Sequence, residues 1–223
     1  MGCASSTSIR VSNSHKVKNK QDEDTPFEPI EIQKIDEDEL RSSLVTSIQY
    51  LLRRVHSIRC PSGMVPSVVI SNLSTPILIS KISFILEKSP SSIQLPIVVC
   101  TSPLVARIIC FSHFKMPQRV NFRIDETSIF FYNCFTWLFS NFPEPSSILF
   151  IGFPEDSHKE IDFCFKSINF NVEFMDIESD FDFDKYHCIA ITSKFNVNDD
   201  QTKYQKLQEY VNKGNGLAAF YDF

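Results

Sequence analysis

Paired cysteines are missing from this 223-residue sequence, whose seven cysteines include no CxxC spacing. It also has no secretory apolar segment. Small secreted domains that depend on disulfides need both features, so the sequence excludes that class. We expect reduced cytosolic thiols that pack mostly as small apolar residues, with Cys110, Cys164 and Cys188 at apolar strand or helix positions. The odd count leaves one cysteine that requires a separate role.

Long hydrophobic runs are missing as well. A membrane-spanning helix needs about 18–20 predominantly apolar residues. The longest candidate, residues 129–139, is shorter than this and contains Asn133. Any contact with a membrane would therefore depend on a segment other than a spanning helix.

Signatures of hydrolytic and metal chemistry are also lacking. No His is followed by Glu, which excludes the HExxH zinc site of metallopeptidases, and no cysteine has the G-x-C-x-G setting of an amidotransferase nucleophile. Cys100, beside Thr101 at the end of a strand, is the best remaining nucleophile candidate, and His113 ends a strand where a functional histidine could lie. His158 and His187 lack the tight spacing of metal ligands. We therefore expect structural roles for these side chains, with no catalytic residue, no metal and no cofactor.

An acylation pattern is present at the N-terminus. The chain begins MGCASS, which places Gly2 after a removable Met and Ser6 where the myristoylation pattern requires it. One myristoyl chain binds membranes only marginally, with an affinity of about 10⁴ M⁻¹, so stable anchoring needs a second signal. Two candidates follow: Cys3 as a palmitate acceptor, and a basic cluster for an anionic leaflet, namely Arg10, Lys16, Lys18 and Lys20. The alternative is an ordinary N-terminal tail.

Charge is concentrated in the first 39 residues. Residues 1–20 carry a net charge of +4 and residues 21–39 a net charge of −8, which leaves −1 for the rest of the chain. We interpret residues 1–39 as a disordered tail whose acidic part holds the body away from the membrane. A nearly neutral body behind an acidic linker disfavours nucleic-acid binding. The predicted partner is an anionic membrane, reached through the acyl chains.

The segment 147–223 alternates apolar runs with amphipathic stretches in the order strand, helix, strand, strand, helix, strand. This order predicts an α/β fold with a mainly parallel, flavodoxin-like sheet. Asp156 or Ser157 is the expected cap of a helix near 157–168, and Gly214 the expected left-handed end of a helix near 200–213. The apolar strand that follows would expose an unpaired edge, leaving the sheet incomplete. The predicted helix faces are Ile161, Cys164, Phe165 and Ile168 in the first helix, and Tyr204, Leu207, Gln208 and Val211 in the second.

Residues 40–142 predict a smaller α+β lobe. A helix that begins after Asp36 would be followed by short β-rich runs, of which 96–102 and 106–114 could pair as a hairpin. A second helix is predicted near 127–141, and two prolines in residues 142–147 mark the boundary between the lobes. The predicted apolar faces are Leu40, Leu44, Ile48, Leu51 and Val55 in the first helix, and Phe130, Cys134, Trp137 and Leu138 in the second.

Four segments together resemble the TRP-channel-associated factor family: LVTSIQYLLRRVHSI, ARIICFSHF, FFYNCFTWL, and YHCIAITS with LQEYVNKGNGL. In that family an Arg-led strand ending in His precedes a helix that ends Asn-x-x-x-Trp-Leu. Here the strand runs from Arg107 to His113, and the helix end from Asn133 to Leu138. The family's glycine-rich turn before a buried strand is matched by Gly214-Asn215-Gly216-Leu217. The resemblance covers residues 40–223.

The resemblance implies that residues 147–223 form a class I glutamine-amidotransferase-like domain without the usual catalytic set, and that a membrane protein such as a channel is a partner. Larger family members continue into an enhancin-like metallopeptidase domain, which is absent from this sequence. The chain also departs from the family at Leu104-Val105-Ala106, where glycines are usual.

Together, the acylation pattern and the resemblance favour a non-catalytic, membrane-tethered scaffold or regulatory protein. Its expected location is the cytoplasmic face of the plasma membrane or of another membrane. The alternative is the N-terminal part of a peptidase-linked protein, or a degenerate amidotransferase-like enzyme. A downstream, in-frame HExxH coding sequence would separate the two readings.

Overall fold

A computed structural model describes the chain from residue 37 onward, with gaps, and residues 35–223 form one compact unit. The described residues are 37–58, 74–86, 89–102, 104, 106–123, 125–139, 147–180, 182–195 and 201–221.

Helices and strands occur in an irregular order in the first half of the unit and alternate more regularly in the second. The helices are α1 (Glu37–Leu51), α2 (Arg119–Phe122), α3 (Asp125–Leu138), α4 (Glu155–Ser167) and α5 (Gln201–Asn212), with a 3₁₀ turn at Phe183–Lys185. The strands are β1 (Ser74–Leu86), β2 (Ser89–Thr101), β3 (Ile108–Phe111), β4 (Ser147–Ile151), β5 (Asn171–Met175), β6 (Cys188–Thr192) and β7 (Gly216–Phe220).

The seven strands form one mixed sheet in the order β1-β2-β3-β7-β6-β4-β5. From β3 to β5 all neighbours are parallel, whereas β1, β2 and β3 pair antiparallel. The predicted hairpin is confirmed, because Val98 pairs with Phe111 and Cys100 with Ile109. The sequences of the central strands, such as SILFI and CIAIT, are almost continuously apolar, as expected for parallel strands covered on both faces. The predicted α/β class with a mainly parallel sheet is confirmed.

The position of β7 corrects the prediction of an unpaired terminal edge. β7 lies between β3 and β6, with Leu217 paired to Ile108 on one side and to Ile189 on the other. The strand that completes the sheet therefore comes from residues 40–142, and the boundary predicted at 142–147 does not separate two sheets. The prediction left this strand without a partner, because sequence periodicity carries no information about a partner strand so far away in the chain.

Helices cover both faces of the parallel part of the sheet. Ile148 and Phe150 face the larger core with α1, α3 and α4, whereas Leu149 and Ile151 face the smaller core with α5 and the 3₁₀ turn. This alternation follows from the two-residue period of a strand. The larger core is dominated by phenylalanine rings, of which Phe111 stacks on Phe220 with ring centroids 4.4 Å apart.

The predicted face of α4 is confirmed, since Ile161, Cys164 and Phe165 are fully buried and Ile168, just after the helix, packs against the same core. Its predicted cap is wrong. The helix begins at Glu155, after Pro154, and the Ser157 hydroxyl donates a 2.6 Å hydrogen bond back to the Pro154 carbonyl. Glu155 and Asp156 lie in the first turn, where negative charge is favourable.

The predicted face of α5 is half right. Leu207 and Val211 are buried, but Tyr204 is 38 % exposed and the third buried residue is Tyr210. The Tyr210 hydroxyl donates to the Tyr186 carbonyl at 2.9 Å, so its polar group has a partner within the buried face formed by Leu207, Tyr210 and Val211. Gly214 has a φ of +88°, which confirms the predicted left-handed end of the helix.

The other two predicted helices are shorter than expected. In α3 the predicted face is confirmed, because Phe130, Cys134, Trp137 and Leu138 are all buried. In the first helix Leu51 and Val55 reach the core, while Leu40, Leu44 and Ile48 are half-buried. α1 ends at Leu51, and Arg54 then takes a left-handed conformation with a φ of +61°.

Candidate functional site

The expected location of a ligand site in this fold is the carboxyl edge of the sheet, at the point where successive connections leave in opposite directions. Here that point lies between β4 and β6. The chain leaves β4 through α4 to reach β5 on one side, then returns past β4 to β6 and leaves through α5 to reach β7 on the other. Gly152 and Thr192 occupy the ends of the two strands.

Hydrogen bonds link the elements at this switch point. The Thr192 hydroxyl donates to the Gly152 carbonyl at 3.0 Å, and the Gly152 N–H donates to the Met175 carbonyl at 3.2 Å. Gly152 has a φ of +75°, and a Cβ added there would lie 2.9 Å from Ile177 Cδ1. Lys203 Nζ donates to the Ile177 carbonyl at 2.7 Å and so attaches α5 to the same loop. The two strand ends are thus joined directly to each other.

The turn between β4 and α4 is the place where many α/β enzymes present a nucleophile. Its central residue here is Phe153, which is buried and packs edge-to-face on Phe150 and Phe220 at 4.9 and 5.4 Å. His158, one turn into α4, contacts the Phe153 carbonyl through Nε2 at 2.9 Å and stacks on Phe174 at 4.1 Å. The turn therefore contributes packing to the core.

The described cysteines are unsuited to nucleophilic chemistry. Burial raises the pKa of the Cys100 thiol to about 12, with a further contribution from Cys110, and Cys100 is only 1 % exposed. Burial likewise raises the pKa of Cys110 to about 11 and that of Cys164 to about 12, and holds those of Cys134 and Cys188 well above the ordinary value. Because the thiolate is the reactive form, a raised pKa favours the unreactive protonated thiol at neutral pH. All five are free, and all but the half-buried Cys110 are fully buried.

Cys100 and His113 are too far apart to form a dyad. Cys100 pairs with Ile109, which lies four residues before His113. At about 3.3 Å per residue of extended chain, roughly 13 Å separates His113 from the level of Cys100 in the sheet. His113 accepts a 3.0 Å hydrogen bond from the Lys115 N–H through Nδ1, and its ring stacks on Phe114. These contacts fix the backbone of the loop after β3.

The described ranges contain neither a metal-binding cluster nor a membrane-spanning helix. No group of three or more His, Cys, Asp or Glu residues there is arranged to hold a metal ion. No helix in the same ranges is long and apolar enough to cross a membrane. The predicted lipidation and membrane-contact residues lie outside the described residues: Gly2, Cys3, Arg10, Lys16, Lys18 and Lys20.

A shallow groove of about 560 Å³ lies between the 3₁₀ turn and α5. Acidic and basic side chains alternate around it, and Lys213 Nζ lies 3.0 Å from the Asp184 carboxylate. This mixed lining gives the groove no net preference for an anion or a cation. Its lining residues are Asp180, Asp182, Phe183, Asp184, Lys185, Lys206, Glu209 and Lys213.

The motifs that carry the family resemblance come together around the C-terminal half of α3. Trp137 Nε1 donates to the Ser47 hydroxyl at 3.3 Å, and Arg107 Nη1 donates to the Trp137 carbonyl at 2.9 Å with its guanidinium over the indole ring. The Asn133 side-chain amide donates to the carbonyls of Leu51 and Arg53, at 3.1 and 3.0 Å. It thereby supplies hydrogen-bond partners for carbonyl groups that the end of α1 leaves without helical donors.

The fourth motif reaches the same place. Gly216 begins β7, and a Cβ added there would lie 2.7 Å from both Cβ and the carbonyl oxygen of Leu138. A side chain at this position would push β7 away from α3. We call Ser47, Arg107, Asn133, Trp137 and Gly216 the α3 junction. Its members come from all four quoted motifs, and each holds one element against another.

The carboxylate of Glu126, which no motif in the sequence marks, connects α3 to the segment that follows α1. Glu126 in α3 accepts hydrogen bonds from the backbone N–H groups of Ser57 and His56, at 2.7 and 2.9 Å. The hydrogen bond from Ser57, and after it the one from His56, lowers the pKa of the Glu126 carboxyl group. The partners are about 70 residues apart in the chain, so sequence reasoning could not have paired them.

No protein-family model and no curated protein matches the chain. Solved structures of IMPa, a metallopeptidase from Pseudomonas aeruginosa, are similar in fold. IMPa in complex with an O-glycopeptide gives a TM-score of 0.59 at 9 % identity, and IMPa itself gives 0.58 at 10 % identity. IMPa in complex with T-antigen gives 0.55 at 10 % identity. In each case the match covers 82 % of this chain but only 20 % of the other, so this chain spans about a fifth of the proteins it resembles.

Proposed function

We propose that this chain is a non-catalytic, membrane-tethered scaffold or regulatory protein at the cytoplasmic face of a membrane, similar in role to channel-associated factors. The observation that carries the proposal is the direct link between the two strand ends at the switch point. Where an α/β enzyme of this topology would bind its substrate, the Thr192 hydroxyl bonds directly to the Gly152 carbonyl. The protonated thiols of the described cysteines favour the same reading.

Attachment in this proposal depends on Gly2 and Cys3. Myristate on Gly2 would bring the protein to the membrane reversibly, and palmitate on Cys3 would keep it there. The four basic residues of the first 20 would add attraction to an anionic leaflet, which weakens as salt rises. The acidic residues of 21–39 would hold the body off the same leaflet, leaving it accessible to a membrane-protein partner.

The body suits a positioning role because its parts are fixed to one another. The α3 junction links α1, α3, β3 and β7 through side-chain hydrogen bonds and one close backbone approach. A scaffold needs such a rigid surface, since each residue that orders on binding costs affinity. The near-neutral body adds no strong electrostatic preference, so shape would select the partner.

A second candidate function is favoured by the fold similarity to IMPa. The match covers 82 % of this chain and 20 % of the IMPa chain. This is the coverage expected if the unit is one part of a larger protein that also has a peptidase domain. Sequencing the full transcript would detect an in-frame HExxH segment downstream. A glutaminase or peptidase activity that purified protein loses on Cys100→Ala or His113→Ala would instead favour the degenerate-enzyme reading.

The test of the tether is metabolic labelling with alkyne fatty acids, combined with fractionation of variants. Gly2→Ala should lose myristate and become soluble, because the first acyl chain provides the membrane contact needed for the second. Cys3→Ser should keep myristate but bind weakly, with retention that falls as salt rises. Ser8→Ala, which lies outside the acylation pattern, is the matched control and should behave as the parent. A parent protein that takes up no myristate, or a Gly2→Ala variant that stays bound, would remove the tether.

A further inference from the structure

α5 is docked on the body through few buried side chains. It buries three of its twelve residues, Leu207, Tyr210 and Val211, whereas α3 buries eight of its fourteen. Most of the stability of a helix in a protein comes from packing of its apolar face, and a helix of about twelve residues is marginal in water once that packing is lost. We therefore expect α5 to leave the body, and then to unfold, more readily than α3.

Polar contacts attach α5 to the segment that joins β5 to β6. Near the start of the helix, Lys203 Nζ donates to the Ile177 carbonyl at 2.7 Å. Nearer its end, the Tyr210 hydroxyl donates to the Tyr186 carbonyl at 2.9 Å. Both acceptors are main-chain carbonyls of the same connecting segment. The position of this segment therefore depends on whether α5 is docked.

The same connecting segment reaches the switch point. Ile177 packs against the smaller core, to which α5 contributes its buried residues, and a Cβ added at Gly152 would lie 2.9 Å from Ile177 Cδ1. Two residues earlier, the Met175 carbonyl accepts the hydrogen bond from the Gly152 N–H at 3.2 Å. Release of α5 would remove the lysine donor from the Ile177 carbonyl and apolar neighbours from its side chain.

We propose that α5 is a latch for the switch point: the helix undocks and Ile177 moves away from Gly152 in one local opening that leaves the larger core intact. Lys203 and the apolar side chains of α5 hold Ile177 in place only while the helix is docked. The result is a minor state in which the carboxyl edge between β4 and β6 is exposed while the rest of the body stays folded. A ligand that binds this edge selects the open state. The tether plays no part in the opening.

The first test is amide hydrogen exchange of the full, non-acylated chain, followed by NMR under conditions in which the rate reports the opening equilibrium. Lys203→Met should speed exchange of the α5 amides and of the Gly152 N–H about tenfold, because a hydrogen bond from a charged group is lost. Lys206→Met removes an exposed lysine of the same helix and is the matched control, which should change neither. An unchanged Gly152 rate in Lys203→Met, or equal effects of the two substitutions, overturns the proposal.

A perturbation of the larger core separates this local opening from global unfolding. Asn133→Ala weakens the attachment of α3 to the end of α1, which stays intact in the local opening. It should therefore speed exchange of the Cys134 amide in α3, which requires global unfolding, and leave Gly152 and the α5 amides unchanged. Urea gives the same distinction, because its effect scales with the surface exposed. Gly152 and α5 should share one shallow urea dependence and Cys134 a steep one. A Gly152 amide that follows Cys134 in either experiment contradicts the latch.

Discussion

In the parallel part of the sheet, strands of only four or five residues are held by neighbours and by helices on both faces. β1 and β2 are 13 residues long, but their outer segments 79–86 and 89–96, here called the ribbon, pair only with each other within the described part of the chain. β7 illustrates the first situation, since Leu217 pairs on both sides and the ring of Phe220 stacks on Phe111. β1 illustrates the second. From this difference we expect the apolar area covered by neighbouring elements, and not strand length, to determine how much each region contributes to stability.

The largest expected effect comes from comparing the loss of stability when a core phenylalanine ring is removed with the loss when an exposed side chain of β1 is removed. Phe111 is fully buried and packs on Phe220 and Phe131, so Phe111→Ala should lower the free energy of unfolding by about 3–5 kcal/mol. Ile79 is 53 % exposed, and Ile79→Ala should change it by less than about 0.5 kcal/mol. Urea denaturation measures both. Equal losses would mean that the ribbon contributes to the same cooperative core.

A smaller effect is expected at the α3 junction. Asn133→Ala leaves the Leu51 and Arg53 carbonyls without their side-chain donor, which should cost about 1–3 kcal/mol. Ser128→Ala is the matched control in the same helix, because the Ser128 hydroxyl bonds only to the carbonyl of Asp125. Denaturation of the two variants under identical conditions gives the comparison. If Asn133→Ala leaves the free energy of unfolding unchanged, water must replace the side-chain amide at the Leu51 and Arg53 carbonyls at no cost.

The smallest expected effect is a change in how stability depends on pH, and it tests the contact between Glu126 and the backbone that follows α1. Backbone hydrogen bonds from Ser57 and His56 lower the pKa of Glu126 from its ordinary value of 4.5. A carboxyl whose pKa is lower in the folded state stabilises the protein above the unfolded pKa, and that contribution is lost as pH falls through the folded pKa. The stability of the parent should therefore fall more than that of Glu126→Gln between pH 5 and more acidic values. Asp125→Asn serves as the control. Parallel pH profiles for the parent and Glu126→Gln would contradict the assignment.

Sequence periodicity predicted the local elements well and their assembly poorly. The faces of α3 and α4 follow from apolar spacing alone, because each buries one continuous stripe. The pairing of Ile108 with Leu217 does not, since it joins residues more than a hundred positions apart. Tyr210 has helical spacing with Leu207 and Val211, but the burial of its hydroxyl requires a hydrogen-bond partner, and that partner is the distant Tyr186 carbonyl, which the sequence does not reveal.

The candidate site was less predictable still. Motifs could indicate which chemistry was missing, but the contacts at the switch point depend on Thr192, Ile177 and Lys203, none of which belongs to a recognisable pattern. The acylation residues show the opposite case. Gly2 and Cys3 carry a local pattern that can be read without any fold.

The central place of β7 in the sheet also sets the order of events during synthesis. β3 and β6 are both made before the strand that separates them, and Leu217 follows its partner Ile108 by 109 residues. At about 5–20 residues per second, a ribosome needs roughly 5–20 s to bridge that interval. Throughout this time the β7-facing edge of β3 has no native partner, and the corresponding edge of β6 has none for the last part of it, because Leu217 follows its partner Ile189 by 28 residues. Any direct pairing between the two edges would have to break before β7 could enter. The growing chain therefore has a window in which chaperones and premature strand pairing compete for the same two edges.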